Sequence, residues 1–277
     1  MRDSESIGSK ALPFLESDHT FAVCAYKSSP YLRECLESVT HQTTKTNVII
    51  ATSTPTDSIR DLAEEYKVPL FVRDGKSGIA DDWNYAVACA GTPLVTIAHQ
   101  DDTYEASYAE EAIAALNSTN HPLIYFTNYG ELRGGKPVDD NRLLRIKRLL
   151  LSPIKDGRLS SSRLVRRRIL SLGSSISCPS VTLVLPNLWS PVFSNEFSCD
   201  LDWDAWERAS RLNGEFYYNS RILMHHRIHE ESETTALIEN NVRTQEDYLM
   251  LCRFWPKFVA RFVNAFYMSS QKSNAQD

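Results

Sequence analysis

Short apolar runs alternate with amphipathic helical patterns along residues 1–128. Between the runs, apolar residues recur at spacings of three and four, which place them on one face of a helix. The apolar runs, typical of buried strands, are 20–25, 48–51, 69–72, 94–98 and 123–126. The helical faces span 32–39, 59–66, 83–90 and 109–116. This rhythm predicts an α/β fold in which a mostly parallel central sheet carries helices on both faces.

Two later regions break this rhythm. Residues 141–175 form a basic, partly amphipathic insert, which Ser152-Pro153 and Asp156-Gly157 interrupt. Residues 236–268 are predicted to be a C-terminal helical segment, and the polar end 269–277 is expected to be disordered. Residues 1–18 are expected to be an N-terminal lead-in. One domain, 19–235, is therefore predicted between these ends.

Composition and charge place the chain among globular proteins and locate its positive charge. The 277 residues are 42% hydrophobic and 23% charged, with a formal net charge of −5, so the chain as a whole is no polyanion binder. Residues 141–168, however, hold ten Lys or Arg and one acid. The start lacks an apolar signal region, and no run of 18 apolar residues occurs. We therefore expect a cytoplasmic protein, in which six cysteines without a CxxC pair are mostly reduced.

A histidine and two carboxylates follow the fourth apolar run, in Ala98-His99-Gln100-Asp101-Asp102. Parallel sheets bind ligands just beyond the carboxyl ends of their strands, and these side chains could hold a hard divalent cation there. Such a cation would offset the charge of a leaving diphosphate. The alternative is that Asp101 or Asp102 only caps the next helix.

Three acids stand at alternate positions in Asp200-Leu201-Asp202-Trp203-Asp204. A carboxylate beside an indole can be held rigidly and partly dehydrated, which suits a general base. The alternative is a capping cluster with aromatic core residues at the start of a helix.

Three histidines and an arginine lie together in His225-His226-Arg227-Ile228-His229, after an apolar run at 222–224. Imidazole and guanidinium groups at this density could serve a metal ion or a pyrophosphate. The alternative is a structural role, which is the usual one for a single histidine.

These motifs follow one another, after an N-terminal half with an α/β pattern, in an order that resembles the family 2 glycosyltransferases. That family has the GT-A (nucleotide-diphospho-sugar transferase) fold, and the resemblance is to its bacterial type, which builds capsular or cell-surface polysaccharides. The resemblance covers roughly 20–235. It implies a nucleotide-binding half, 19–128, and an acceptor half, 129–235, which contains the insert 141–175. The implied nucleotide-binding residues are Ala25, Tyr26, Thr52, Ser53, Gly78, Trp83, Asn84, Gln100 and Asp101.

The resemblance also implies a reaction. A sugar would pass, with inversion, from a nucleotide-diphosphate donor to a hydroxyl of a glycan or lipid-linked acceptor. Asp202 matches the catalytic base of the family's ED-type motif, and Asp101, His99 and His229 would hold Mn²⁺ or Mg²⁺. The residues matched to the diphosphate or the acceptor are Asp102, Asp204, Arg227, His229 and Ser232.

Three positions depart from the family's pattern. His99 stands where the first Asp of the DxD motif is usual, which favours Mn²⁺ over Mg²⁺. Leu201 stands where a Glu often precedes the base, and Thr52-Ser53 replaces the acidic pair that usually grips the nucleotide base and ribose. The alternatives to an active transferase are a non-catalytic sugar-nucleotide-binding or scaffold protein and a nucleotidyltransferase on a similar sheet.

The basic stretch 141–170 suggests a further partner. Its leucines interleave with arginines and lysines, a pattern that can lie on an anionic membrane surface. Our hypothesis is peripheral binding to the inner face of the membrane, where a lipid-linked acceptor would sit. The alternative is a solvated helix face that packs its leucines on the domain. No nucleic acid partner is expected, because no recognition motif occurs and the remainder of the chain is acidic.

Overall fold

The computed structural model describes residues 12–229 and 242–274, with side chains as far as residue 265. The strands are β1 (His19–Ala25), β2 (Asn47–Thr52), β3 (Leu70–Val72), β4 (Leu94–His99), β5 (Thr103–Tyr104), β6 (Pro122–Arg133), β7 (Lys136–Val138), β8 (Val181–Val184) and β9 (Glu215–Ile228). The α-helices are α1 (Leu32–Thr40), α2 (Asp57–Tyr66), α3 (Ile79–Ala90), α4 (Tyr108–Ser118), α5 (Arg142–Leu151), α6 (Arg163–Ile169), α7 (Leu201–Ser210), α8 (Val242–Leu251) and α9 (Lys257–Asn274).

These strands form a single sheet in the order β3-β2-β1-β4-β8-β6-β9-β5, with β7 paired to β6. The strands β1 to β4 pair in parallel, and β6 pairs in parallel with β9. Since β8 lies antiparallel between β4 and β6, these two strands run in the same direction. Most strands therefore point one way, and their carboxyl ends share one edge, where ligands bind in such sheets.

Helices cover both faces of the sheet. Phe21 and Val23 of β1 face a core that includes α1, α2 and α4, whereas Ala22 between them packs with Ala86 of α3. A further cluster joins β4, β6 and β8 to α7, α8 and α9 around buried tryptophans of α7. The predicted α/β class, with helices on both faces of a mostly parallel sheet, is confirmed.

The second half of the chain differs most from expectation. The predicted strand at 123–126 is part of the 12-residue β6, and the apolar run at 222–224 is part of the 14-residue β9. Both strands contain polar residues, such as the buried Thr127 and Glu131 of β6, which hide their length from a hydrophobic pattern. The last helix continues to Asn274, because no Gly or Pro interrupts it. Residues 269–274 of the expected disordered tail are thus helical.

The capping alternative for Asp101 and Asp102 is wrong. After Asp102 the chain forms β5, which pairs with β9, and α4 begins only at Tyr108. Asp101 and Asp102 therefore lie in the turn between β4 and β5, and neither of them caps α4.

The basic insert packs more of its arginines onto the domain than expected. Arg166 is fully buried and donates to two backbone carbonyls in the turn between α7 and β9. Arg167 pairs with Glu207 of α7, and Arg168 lies over the ring of Trp255. These three arginines thus bind protein groups and do not form a free cationic face. The exposed apolar residues of α5 and α6 are Ile146, Leu149 and Leu164.

No helix in the part of the chain that the structure describes has the length and apolar character needed to span a bilayer.

Candidate active site

The ends of the parallel strands bring the segments after β1, β2 and β4 together. Ala25 of β1 is level with Thr52 of β2, and β4 lies on the other side of β1. The side-chain amide of Gln100 accepts a hydrogen bond from Tyr26 N at 2.9 Å and donates one to Tyr26 O at 3.0 Å. Gln100, predicted to bind nucleotide, therefore links the ends of β1 and β4 and shapes the site through the backbone.

Asp101 and His229, far apart in sequence, are in direct contact. His229 Nε2 lies 3.0 Å from Asp101 Oδ2, and the hydroxyl of Ser29 donates to Asp101 Oδ1 at 3.1 Å. Arg227 Nε donates to the backbone carbonyl of Asp101 at 2.9 Å. The structure thus places a carboxylate and an imidazole side by side at the carboxyl end of β4.

The N-terminal part of α1 adds two residues that the sequence analysis missed. Glu34 accepts a hydrogen bond from Arg227 at 2.5 Å, and the Arg227 guanidinium lies 4.3 Å from the ring centre of Tyr31. The Tyr31 ring also lies 5.2 Å from the imidazole of His229. Their position at the start of the helix that follows β1 was the available signal, because that helix begins near the same sheet edge.

Asp102 holds β9 against the end of β4. It is fully buried, and its Oδ1 accepts from His226 Nδ1 at 3.0 Å and from Arg227 N at 2.9 Å. Burial opposes ionisation of Asp102, but His226, His99 and the Arg227 amide outweigh it and hold the pKa of this carboxyl below its usual range. Asp102 therefore holds in place the end of β9, which carries Arg227 and leads to His229. The sequence had instead predicted that Asp102 contacts the diphosphate or the acceptor.

Asp202 lies in the first turn of α7. Burial raises its pKa to about 6, although the Trp203 amide, Arg243 and Lys147 act in the opposite direction. The Trp203 amide donates to Asp202 Oδ1 at 2.7 Å and so fixes the carboxyl in one orientation. A carboxyl with a pKa close to the working pH has the acidity that a general base needs.

Asp202 shares its electrostatic surroundings with the segment after β4. Burial, and then neighbouring charges that include Asp202 and Asp102, raise the pKa of the Cys178 thiol well above its usual range. The ammonium group of Lys147 acts on Asp202 and also on the pKa of His226. Lys147 belongs to α5 of the basic insert, so this insert brings a cation near both Asp202 and His226. Sequence reasoning missed Lys147, since one lysine in a basic run carries no distinguishing signal.

Helix α8 supports the segment that carries Asp202. The Glu246 carboxylate accepts from the backbone amides of Ser198 at 2.8 Å and Cys199 at 2.7 Å. Burial raises the pKa of Asp200 to about 9 and that of Asp247, which faces it, to about 6. These two carboxyls therefore retain a proton between them at neutral pH, and they tie α8 to the N-terminus of α7.

The α3 residues predicted to bind nucleotide mainly organise a neighbouring loop. Asn84 Nδ2 donates to Phe193 O at 2.8 Å, and Phe193 N donates to Asn84 Oδ1 at 3.0 Å. The Trp83 ring stacks on His99 at 5.0 Å and meets Phe193 edge to face. Gly78 is the N-cap residue of α3. Trp83 thus forms the wall of the site behind His99.

A carboxylate from α3 stands where the family's acidic pair is missing after β2. The hydroxyls of Ser53 and Ser77 each donate to Asp82 Oδ2 at 2.9 Å, and Arg73 Nε donates to Asp82 Oδ1 at 2.7 Å. Thr52 is buried. The end of β2 therefore faces a carboxylate of α3, although the segment between β2 and α2 contains none.

Asp204 lies away from Asp202. It is fully buried, Arg208 Nε donates to it at 2.9 Å, and Arg253 pairs with its other oxygen. Residues two apart on a helix point about 200° away from each other, so the two carboxyls cannot face one crevice. The expectation that Asp204 serves the diphosphate or the acceptor therefore does not hold, because arginines occupy both oxygens. Ser232 lies outside the described residues.

The residues at the end of β4 fit a divalent cation as part of its ligand set. Carboxylate and imidazole are ligands that Mn²⁺ accepts, and Asp101 and His229 present one of each. His99 Nε2 is buried and has no hydrogen-bond partner among the described residues, and burial lowers the pKa of His99, which keeps the ring neutral. Within the described ranges, no three His, Cys, Asp or Glu side chains already form a metal cluster. The remaining coordination positions of such an ion would be left to water or to oxygens of a ligand.

Solved structures with the same fold are glycosyltransferases. S. aureus TarS 1-349, in complex with UDP-GlcNAc, superposes with a TM-score of 0.57 at 16% identity over 91% of this chain and 71% of TarS. The mannosyltransferase PcManGT from Pyrobaculum calidifontis, in complex with GDP-Man and Mn²⁺, superposes at 0.62 and 12% identity over 94% and 76%. Glucosyl-3-phosphoglycerate synthase from Mycobacterium tuberculosis, with Mn²⁺, UDP and glucosyl-3-phosphoglycerate, superposes at 0.55 and 12% identity over 83% and 78%. At these identities the likeness concerns the fold.

The sheet order and these neighbours together define a GT-A fold. The model of the glycosyl transferase family 2 matches residues 20–171, more than half of the chain. The protein therefore belongs to glycosyl transferase family 2, as the motif resemblance implied. No protein of curated function matches the sequence significantly.

Proposed function

We propose that this enzyme is an inverting glycosyltransferase in which Asp202 is the general base. The observation that carries the proposal is a carboxyl with a pKa raised to about 6, which shares electrostatic neighbours with the segment that holds Asp101 and His229. Inversion needs an acceptor hydroxyl that loses its proton on the sugar face opposite the leaving group. Asp202 would take that proton.

The leaving diphosphate would lie against Asp101, His229 and Arg227. Asp101 and His229, with His99 as a further candidate, would hold Mn²⁺ or Mg²⁺. When bound, the ion supplies charge stabilisation to the departing diphosphate. Arg227 keeps the segment in place through its bond to the Asp101 carbonyl, and Asp102 holds the same strand through the Arg227 amide. No general acid is required in this scheme, in contrast to glycoside hydrolysis.

The donor would be a nucleoside-diphosphate sugar bound along the ends of β1, β2 and β4. TarS, PcManGT and the synthase above were solved with UDP-GlcNAc, GDP-Man and UDP respectively, which supports this class without fixing the base. Ser53 and Asp82 would contact the base or the ribose in place of the missing acidic pair. Ala25 and Tyr26 would line this edge of the sheet, where the Gln100 amide holds the Tyr26 backbone in place.

A nucleotide panel tests the donor class. We expect one of UDP, GDP, CDP, ADP or dTDP to raise Tm in the presence of Mn²⁺ or Mg²⁺, and to do so less in EDTA. A ligand at 100 times its Kd stabilises the folded state by about 2.7 kcal/mol, which a thermal-shift assay detects readily. If none of the five diphosphates changes Tm with either ion, this protein does not bind the proposed donor class.

The acceptor would be a glycan or a lipid-linked glycan, and the exposed side of the basic insert would draw the cytoplasmic enzyme to an anionic bilayer. Ile146, Leu149 and Leu164 are 44%, 73% and 81% exposed, and such residues can enter the interface beside basic side chains. We expect Leu149→Glu with Leu164→Glu to lower co-sedimentation with vesicles of anionic phospholipid, because charge replaces the apolar contact. Leu249→Glu, an exposed position on α8, is the matched control. Equal sedimentation of both variants and the parent would remove the membrane from this proposal.

A further inference from the structure

A groove of about 820 Å³ lies between α3 and the loop that joins β8 to α7. Its lining includes Asp81, Tyr85, Trp189, Asn195 and Arg208. The catalytic candidates Asp101 and Asp202 are not part of this lining. The groove begins near the N-terminus of α3, beside the donor side of the site, and continues along the outer side of the helix.

One aromatic wall separates the groove from the site. Phe193 lines the groove and meets the ring of Trp83 edge to face at 5.0 Å, and Trp83 stacks on His99 at 5.0 Å on its other side. A ligand in the groove would therefore lie behind His99, close to the site but outside the space where the sugar transfers.

The loop that forms the outer wall is held in one conformation by side chains. Val192 O accepts hydrogen bonds from Trp189 Nε1 at 3.2 Å and from Arg208 Nη2 at 2.7 Å. Asn84 binds both backbone polar groups of Phe193. Asn195 donates to Asp81 on α3 at 2.9 Å, which joins the two walls. A site ordered before binding loses less conformational entropy when a ligand arrives.

The lining has the chemistry of a carbohydrate site. The half-buried Trp189 and Tyr85 supply aromatic rings, whose electron-rich faces attract the C–H groups on one face of a pyranose ring. The Arg208 guanidinium lies over the Trp189 ring, 4.5 Å from its centre, so a sugar would stack on the opposite face. Asp81 and Asn195 supply a carboxylate and an amide, which can accept from and donate to sugar hydroxyls. A few such polar groups among aromatic walls are typical of sites that fix the orientation of a ligand.

The charges in the groove favour a neutral ligand over a phosphorylated one. Arg208 is paired with the buried Asp204, and Arg73 is paired with Asp82 at 2.7 Å. Asp81 adds a negative charge, and the amide that donates to its carboxylate, that of Asn195, is neutral. Because each guanidinium already faces a carboxylate, the groove has little excess positive charge for an anion.

We propose that this groove binds a neutral oligosaccharide and holds part of the glycan acceptor or product away from the transfer site. The assignment of that glycan to the acceptor rests on the proposed function, whereas binding to the groove does not. Trp189 would stack on a sugar ring, with Asp81 and Asn195 bonding to its hydroxyls. A growing chain would then stay attached through this second contact while the donor is exchanged.

The test measures glycan binding without nucleotide or metal. An array of neutral and acidic oligosaccharides identifies a bound glycan, and titration of the full chain with it gives the Kd. We expect Trp189→Ala to weaken binding about tenfold or more, as loss of an aromatic stacking contact does. Ala88→Arg should block the groove as well, since Ala88 is an exposed lining residue on α3 and Arg is a good helix former.

The matched control is Ala114→Arg, the same substitution at an exposed alanine of α4 outside the groove, which should bind like the parent. All three variants should keep the nucleotide-dependent rise in Tm if the donor proposal holds, so that the two proposals fail separately. Absence of any bound glycan, binding of acidic glycans alone, or neutral-glycan binding that Ala88→Arg leaves unchanged would each overturn the groove assignment.

Discussion

Replacing Asp202 by asparagine is expected to lower kcat about 10²–10⁴-fold, the usual contribution of general base catalysis, while nucleotide binding persists. Asparagine keeps the acceptor oxygen that the Trp203 amide binds but cannot take a proton from the acceptor hydroxyl. The measurement is steady-state turnover together with nucleotide Kd by titration. A variant that turns over at the parent rate would remove Asp202 from the base role.

Asp204→Asn is the matched control, two residues further along the same helix. Asp204 is fully buried between Arg208 and Arg253, and loss of its charge removes a buried partner from both guanidinium groups, although Arg253 keeps Glu196. We expect a loss of about 2–4 kcal/mol in the free energy of unfolding, with kcat per folded molecule close to the parent. The two substitutions should thus separate catalysis from stability.

The pH dependence of the parent follows from the same carboxyl. Burial raises the pKa of Asp202 to about 6, so its base form is lost, and turnover falls, as pH drops through 6. Because the pKa of Asp202 is higher in the folded state than in the unfolded state, its ionisation opposes folding. The stabilisation that the protonated carboxyl contributes to the free energy of unfolding is therefore lost as pH rises through 6. Asparagine is neutral at every pH, so Asp202→Asn should melt no lower than the parent at pH 7.5. A pH–rate profile of the parent that is flat between 5 and 7 would contradict this role.

Local patterns predicted the strands and helices of residues 19–128 because most of these elements have one apolar side. Leu32 to Val39 packs against β1 with the residues that the helical period selects. The full lengths of β6 and β9 escaped this reasoning because buried polar residues interrupt their apolar patterns, as Thr127 and Glu131 do in β6 and Arg227 does in β9. The hydrogen-bond partners of such buried polar residues come from tertiary contacts; Arg133 and Asn141, for example, both donate to Glu131. A local sequence pattern does not record these contacts.

The site was predictable where residues follow strand ends and unpredictable where side chains arrive from elsewhere. His99, Asp101 and His229 could be proposed from their motifs, and Asp101 and His229 do meet. Three charged residues come from three different helices: Glu34 from α1, Lys147 from α5 and Asp82 from α3. Each is a single charged residue in an ordinary helical sequence, so no motif marks it. Asp202 and Asp204 look alike in sequence, and only the direction of each side chain on α7 separates a candidate base from a buried ion pair.

Substituting Asp101 by asparagine is expected to lower kcat/KM about 10²–10³-fold, the range for removing one electrostatic stabiliser of the transition state. Asp101 Oδ2 faces His229 Nε2 at 3.0 Å, and asparagine replaces this charged oxygen by a neutral amide. Divalent cations bind neutral amides more weakly than carboxylates, so the difference in nucleotide affinity between Mn²⁺ and EDTA should shrink. Titrations of the nucleoside diphosphate with and without the ion measure that difference.

Asp139→Asn distinguishes a metal role from the loss of any histidine–carboxylate contact. Asp139 Oδ1 lies 2.9 Å from Nε2 of His225, a residue of β9, the strand that leads to His229. The Asp139 side chain is 55% exposed, and its partner is this histidine and not His229. Because the ion is held by Asp101 and not by Asp139 in the proposed site, this control should keep the metal dependence of nucleotide binding. Equal metal dependence in the parent and in Asp101→Asn would show that Asp101 positions His229 only, and the ion would then have to be assigned to other ligands.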